Sequence, residues 1–127
     1  MEMDSLSVSI NKVLAQYTSD VNMTIQSTIE ATAKDGAQRL RAESARTHGN
    51  GKYAKNWAVK KERGRAIIYN KAPTYRLTHL LENGHDIIRN GKKVGEYRPR
   101  EKHIQPVEKW VQDEVQSRLE EALSNVD

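Results

Sequence analysis

The chain has 127 residues, of which 36% are hydrophobic and 30% charged, with no Phe and no Cys. Ordinary globular domains hold about 45–50% apolar and about 25% charged residues, so one domain over residues 1–127 has only a thin core to build. Disulfide frameworks, thiolate zinc sites and cysteine nucleophiles are excluded, while the net charge of +4 resolves into −1 over residues 1–50, +9 over 51–103 and −4 over 104–127.

From about Ser5 to Arg46 the pattern is that of one long amphipathic helix, spanning residues 1–46 as an element. Ile10, Leu14, Tyr17, Val21, Ile25, Ile29, Ala33, Ala37 and Leu40 recur at spacings of three and four and fall on one stripe. No Pro interrupts it, and Gly36 is the one position where a bend or break is expected. Forty helical residues would reach about 60 Å, more than a small globule can cover. A kinked pair, or a helix projecting onto a neighbour, is therefore expected.

Residues 47–71 read as a loop and a β-hairpin. Thr47-His48-Gly49-Asn50-Gly51 is a cluster of turn formers that predicts a mobile loop. Asn56–Lys60 and Arg65–Asn70 read as strands joined through Lys61-Glu62-Arg63-Gly64. Trp57 and Val59 share one face of the first strand, and Ile67 and Tyr69 share one face of the second. Residues 72–84 read as a short helix opened by Pro73, with Tyr75, Leu77, Leu80 and Leu81 on its apolar side and Asn83-Gly84 as a left-handed stop. Residues 85–105, with Asn90-Gly91 and Gly95, read as a hairpin or extended segment. Residues 106–124 form a closing helix with Pro106 at its first position and Val107, Trp110, Val111, Val115, Leu119 and Ala122 as its buried stripe. The fold class is α+β: a long N-terminal amphipathic helix, a small antiparallel sheet, a short central helix and a C-terminal amphipathic helix. Trp57, Ile67, Leu80, Leu81, Trp110 and Val111 are expected to meet in the core.

Chemistry is sparse. His48, His79, His85 and His103 are the candidate ligands or bases. His79, Glu82 and His85 form the nearest thing to a cluster, but their six-residue span is no standard metal spacing. No nucleophile elbow, Ser-x-x-Lys pair or phosphate-cradling loop occurs, so no active site, metal or cofactor is expected. Within Leu80-Leu81-Glu82-Asn83-Gly84-His85, Glu82 is placed to accept hydrogen bonds from backbone donors of the following loop or to pair with an Arg, a packing and capping role. Lys60, Lys61, Arg63, Arg65, Lys92 and Lys93 mark a basic surface. It suits solvent, an acidic face of a second copy, or phosphates. A small basic nucleic-acid-binding protein is the alternative function, with Trp57, Tyr69 and Tyr97 as sparse stacking candidates. No apolar run approaches the roughly 18 residues of a membrane span, and Met1-Glu2-Met3-Asp4 lacks the features of a signal peptide. Synthesis in the cytoplasm, with no membrane partner, is the expectation.

The succession of a long polar helix, Tyr-x-Leu-x-His-Leu-Leu-Glu-x-Gly-His (Tyr75 to His85), a Gly-bearing hairpin, His-Ile-Gln-Pro (His103 to Pro106) and a last amphipathic helix resembles minor structural proteins of long-tailed bacteriophages. These are the head–tail joining, neck or tail-completion components. The resemblance implies a non-enzymatic virion part at the head–tail junction, made in the host cytoplasm. It also implies assembly into a ring with copies of itself, with portal-side or head-closure proteins and with tail-tube or tail-terminator proteins. Any contact with packaged DNA would be loose and made through phosphate charge.

Overall fold

The computed structural model describes residues 2–125, with side chains from Lys12 onward. The chain folds as α1 (Glu2–His48), α2 (Lys52–Lys55), β1 (Trp57–Glu62), β2 (Arg65–Asn70), a 3-10 turn (Thr74–Arg76), α3 (Leu77–Asn83), β3 (His85–Arg89), β4 (Lys92–Tyr97) and α4 (Ile104–Ser124). This is the α+β class expected, with two separate two-stranded antiparallel sheets in place of one.

The 47 residues of α1 run unbroken through Gly36 for about 70 Å. Gly36 marks neither a bend nor a break. A Cβ there would lie 2.6 Å from Val111 Cγ2 and 2.9 Å from Ile68 Cδ1, so its missing side chain lets α4 and β2 press onto the helix together. Small residues continue that face: Thr32, Ala33, Ala37 and Ser44 are buried with Leu40. Further along the same seam the Arg39 guanidinium lies 3.7 Å over the Trp110 ring. Arg118 reaches back from α4 to Asp35, 2.9 Å away.

Gly49 to Gly51 is a brief connection, and the loop expected to be mobile instead holds α2, whose Tyr53 and Ala54 are buried. Both hairpins close through two-residue turns with positive φ at both positions, Arg63-Gly64 and Asn90-Gly91, the geometry that matches the strands' right-handed twist. Trp57 pairs with Asn70 and Val59 with Ile68, so Ile68 and not Ile67 shares the Trp57 face. Ile67 and Tyr69 stand on the other side with Lys60, whose Nζ lies 4.9 Å from the Tyr69 ring.

The core is correspondingly small. Leu40, Tyr53, Trp57 and Val107 are buried together, with Ile68, Leu81, Ile104 and Val111 packed at its margin. Three residues expected there do not join it. Leu80 is exposed, Ile67 sits on the wrong face of β2, and Trp110 is half-buried under Arg39. Trp57 is held from α1: its indole N–H donates to Ser44 Oγ (2.8 Å) and its carbonyl accepts twice from Arg41 (2.7 and 3.0 Å).

Pro73 follows a cis peptide bond and precedes the 3-10 turn, so α3 itself starts four residues later than expected. Gly84 ends it at φ 82°, ψ 171°, a glycine-only extended conformation in place of a left-handed helical stop. A Cβ on Gly84 would stand 2.5 Å from the Tyr97 carbonyl oxygen. α4 begins at Ile104, which makes Pro106 its third residue and not its first.

Candidate functional site

The sequence motif and the fold converge on Glu82. α3 is too short to bury much, and Leu77 and Leu80 on its sides remain exposed at 39% and 37%. What it does deliver is the Glu82 carboxylate to the start of α4. Oε1 accepts from the backbone N–H of His103 (2.8 Å) and of Ile104 (2.9 Å), and Oε2 accepts from that of Gln105 (2.8 Å). The fourth unpaired donor of a helix start would be residue 106, and Pro106 has none. All four positions at the N-terminus of α4 are thus accounted for, three by a carboxylate more than twenty residues away in sequence and the fourth by proline.

A negative charge here also meets the positive end of the α4 dipole. Burial by itself would raise the Glu82 pKa; the three backbone hydrogen bonds and the neighbouring His103 outweigh it and bring it below the usual carboxylate value.

His103, wholly buried, is the next member. Its Nε2 is 2.6 Å from the Tyr53 hydroxyl. Its Nδ1 is 3.1 Å from Glu82 Oε1, but off the direction a ring N–H bond requires, so Nδ1 is left without a hydrogen bond. The His48 ring stands edge-on to it at 4.6 Å, with Nδ1 3.3 Å from the Tyr97 hydroxyl. Burial holds the pKa of both histidines below the ordinary value, against the pull of Glu82. Burial likewise pushes the Tyr53 hydroxyl up.

Both imidazoles are therefore neutral near pH 7. The cluster ties α1, α2, α3, β4 and α4 through one polar knot. With His103 at 0% and Tyr53 at 7% exposure, the Glu–His–Tyr line is buried and joins these elements as a structural lock.

His79 and His85, which flank Glu82 in sequence, do not gather around it. His79 is exposed and accepts from the Asn83 amide. His85 bonds the Asp86 carbonyl and lies 5.6 Å from the Tyr97 ring. Tyr75 is 49% exposed, and its hydroxyl accepts from the neighbouring Arg76. Among the described residues no group of three or more His, Asp or Glu side chains is placed to hold a metal ion. Tyr53, the partner that sequence reasoning missed, carried no signal beyond being a polar aromatic near a turn, and His48, a candidate ligand or base by residue type, carried none that placed it beside His103.

The basic residues divide between the two hairpins. Lys61 pairs with Glu30 at 2.7 Å and Lys60 with Glu62 at 3.7 Å. Lys93 is engaged by Glu96 and Asp86. Among the described residues Arg63, Arg65 and Lys92 make no ion pair.

A second feature is a bare stretch of helix. Residues 12–20 of α1 are exposed throughout, including Val13 (68%), Leu14 (57%) and Tyr17 (49%), and Met23 follows at 66%. Ile10 of the same stripe lies outside the described side chains. Among the described residues no helix is long and apolar enough to cross a membrane.

Compared with protein-family profiles, with curated proteins and with solved structures, the chain matches none.

Proposed function

We infer that this chain is a non-enzymatic structural subunit of a long-tailed bacteriophage virion. It acts at the head–tail connection, as a neck or tail-completion protein, through ring-type assembly with portal-side and tail-side partners. The observation that carries the reading is the bare half of α1. A helix of about 70 Å covered over only its C-terminal half, with Val13, Leu14 and Tyr17 open to water, is a subunit whose burial is completed by other chains.

A second support comes from the motif resemblance. Its two sharpest pieces, Tyr75–His85 and His103–Pro106, are the two halves of one joint, since Glu82 of the first receives the backbone donors of the second. A requirement for both pieces together is what that joint explains.

The alternative, a small nucleic-acid-binding protein, has weaker support. Three of the six cations singled out for phosphates are already paired with carboxylates, and the six are split between two hairpins.

The test is co-sedimentation of the purified chain with portal-bearing heads and with free tails, alongside its solution mass across a concentration series. Binding to either structure, or a discrete oligomer, is expected. A strict monomer that binds neither, yet binds DNA with a steep salt dependence, overturns the reading in favour of the alternative.

A further inference from the structure

The exposed arm of α1 has a counterpart on the body of the same chain. Leu40, Trp57, Ile68, Ile104, Val107 and Val111 line an open, mainly apolar groove of about 300 Å³ between α1, β2 and α4. It is the uncovered side of the core. Its volume is at the low end for ligand clefts, which run from about 300 to about 1,000 Å³, and suits two or three inserted side chains better than a free small molecule.

The arm cannot fill the groove of its own chain. α1 is one unbroken helix whose residues 12–20 are all exposed, so its first half leads away from the body. Its apolar stripe is also turned. At about 100° per residue, repeated steps of four turn the stripe steadily, so that Leu14, Tyr17 and Val21 centre about 130° round the helix from Ala33, Ala37 and Leu40, which face the core. The stripe is therefore aimed at something other than the elements that pack on α1.

Charge agrees with a second copy as that something. Residues 2–27 carry Glu2, Asp4 and Asp20 against Lys12 alone. On the β1–β2 hairpin beside the groove Lys60 and Lys61 are engaged by Glu62 and Glu30, while Arg63 and Arg65 make no ion pair among the described residues and are left to attract an acidic partner. An acidic arm arriving along a basic hairpin is favoured in approach and orientation.

We propose that the α1 arm of one copy docks, through Leu14 and Tyr17, in the groove beside Trp57, Val107 and Val111 of the next copy. The contact is head-to-tail: each chain gives an arm and receives one, and a repeated contact of this kind closes into a ring when its rotation permits. This rests on the ring-assembly reading above and specifies its interface.

The test uses two full-length variants. Leu14→Asp with Tyr17→Asp disables the arm at exposed positions. Gln112→Trp, at an exposed position on the rim of the groove, fills it. Circular-dichroism melting verifies that both stay folded. In sedimentation velocity the wild type is expected to self-associate, and each variant alone to be weakened by about 30-fold or more, as for loss of a central anchor.

An equimolar mixture is expected to give a dimer and nothing larger, because one intact arm meets one intact groove. If the Gln112→Trp chain assembles like the wild type, arms pair with arms and the proposal is wrong. A mixture that stays monomeric, or assembly routed instead through the exposed Ile88 and Val94 of the β3–β4 hairpin, also overturns it. A wild-type chain that is monomeric at its highest soluble concentration overturns self-docking while leaving the virion reading to the head and tail binding test.

Discussion

At the scale of single residues, Glu82 is the polar side chain on which the start of α4 depends. Three charge-assisted bonds to backbone N–H groups converge on a carboxylate only 8% exposed. Glu82→Gln keeps the shape but presents an amide donor where a second acceptor oxygen is needed. It should cost about 2–3 kcal/mol, measured by urea unfolding at pH 7.

The pH dependence follows in sign. The folded-state pKa of Glu82 is depressed, so its contribution is present above the unfolded carboxylate value, about 4.3, and is lost as pH falls through the lower folded one. His48 and His103 are also depressed, so the unfolded chain takes up their protons first. Stability should therefore begin to fall below about pH 6.5, then fall again below about 4.3. The second loss should be smaller in Glu82→Gln, the remainder coming from Glu30 and Glu101, whose pKa values Lys61 and Arg46 also hold below the usual carboxylate value. Thermal melts from pH 8 to pH 3 check both limbs, and a flat profile between pH 7 and 5 would refute the assignment to the histidines.

At the scale of elements, Gly36 decides how α1, β2 and α4 meet. Gly→Ala in a helix ordinarily stabilises by up to about 1 kcal/mol. Here the added methyl would overlap the stiff, β-branched Val111 and Ile68. Gly36→Ala should instead be net destabilising by about 1–2 kcal/mol, the usual overpacking penalty less the helical gain. An increase in melting temperature would contradict the close approach.

The helices and hairpins were largely legible because they are local. A stripe at three-four spacing and the pairs Gly64 and Asn90-Gly91 carry their own geometry. The face of β2 was legible too, although the expected core placed Ile67 beside Trp57. A two-residue turn between Glu62 and Arg65 sets Trp57 opposite Asn70, and alternation then puts Ile68 on the Trp57 side. The start of α4 at Ile104 was not legible, since the group that caps it comes from α3.

At the scale of the whole molecule, two regimes of stability share one helix. From Thr32 to Ser44 the buried face of α1 is locked under α4 and the hairpin; from Lys12 to Asp20 every residue is exposed. Amide hydrogen exchange should reflect that division in the isolated chain. Amides of residues 12–20 are expected to exchange orders of magnitude faster than those of 36–44, and to become protected on assembly. Uniform protection along α1 in a verified monomer would show that the arm is stabilised from within the chain.

The sequence alone determined the α+β class, the long helix, both hairpin turns and the asymmetry of charge, because each is written in neighbouring residues and their periodicity. Only the tertiary structure decided that Glu82 holds the start of α4, that His103 and Tyr53 are buried together, and that Gly36 is a contact and not a hinge. Those depend on which distant surfaces meet, and hydrogen-bond and packing energies between residues 21 to 75 positions apart leave no local pattern to read.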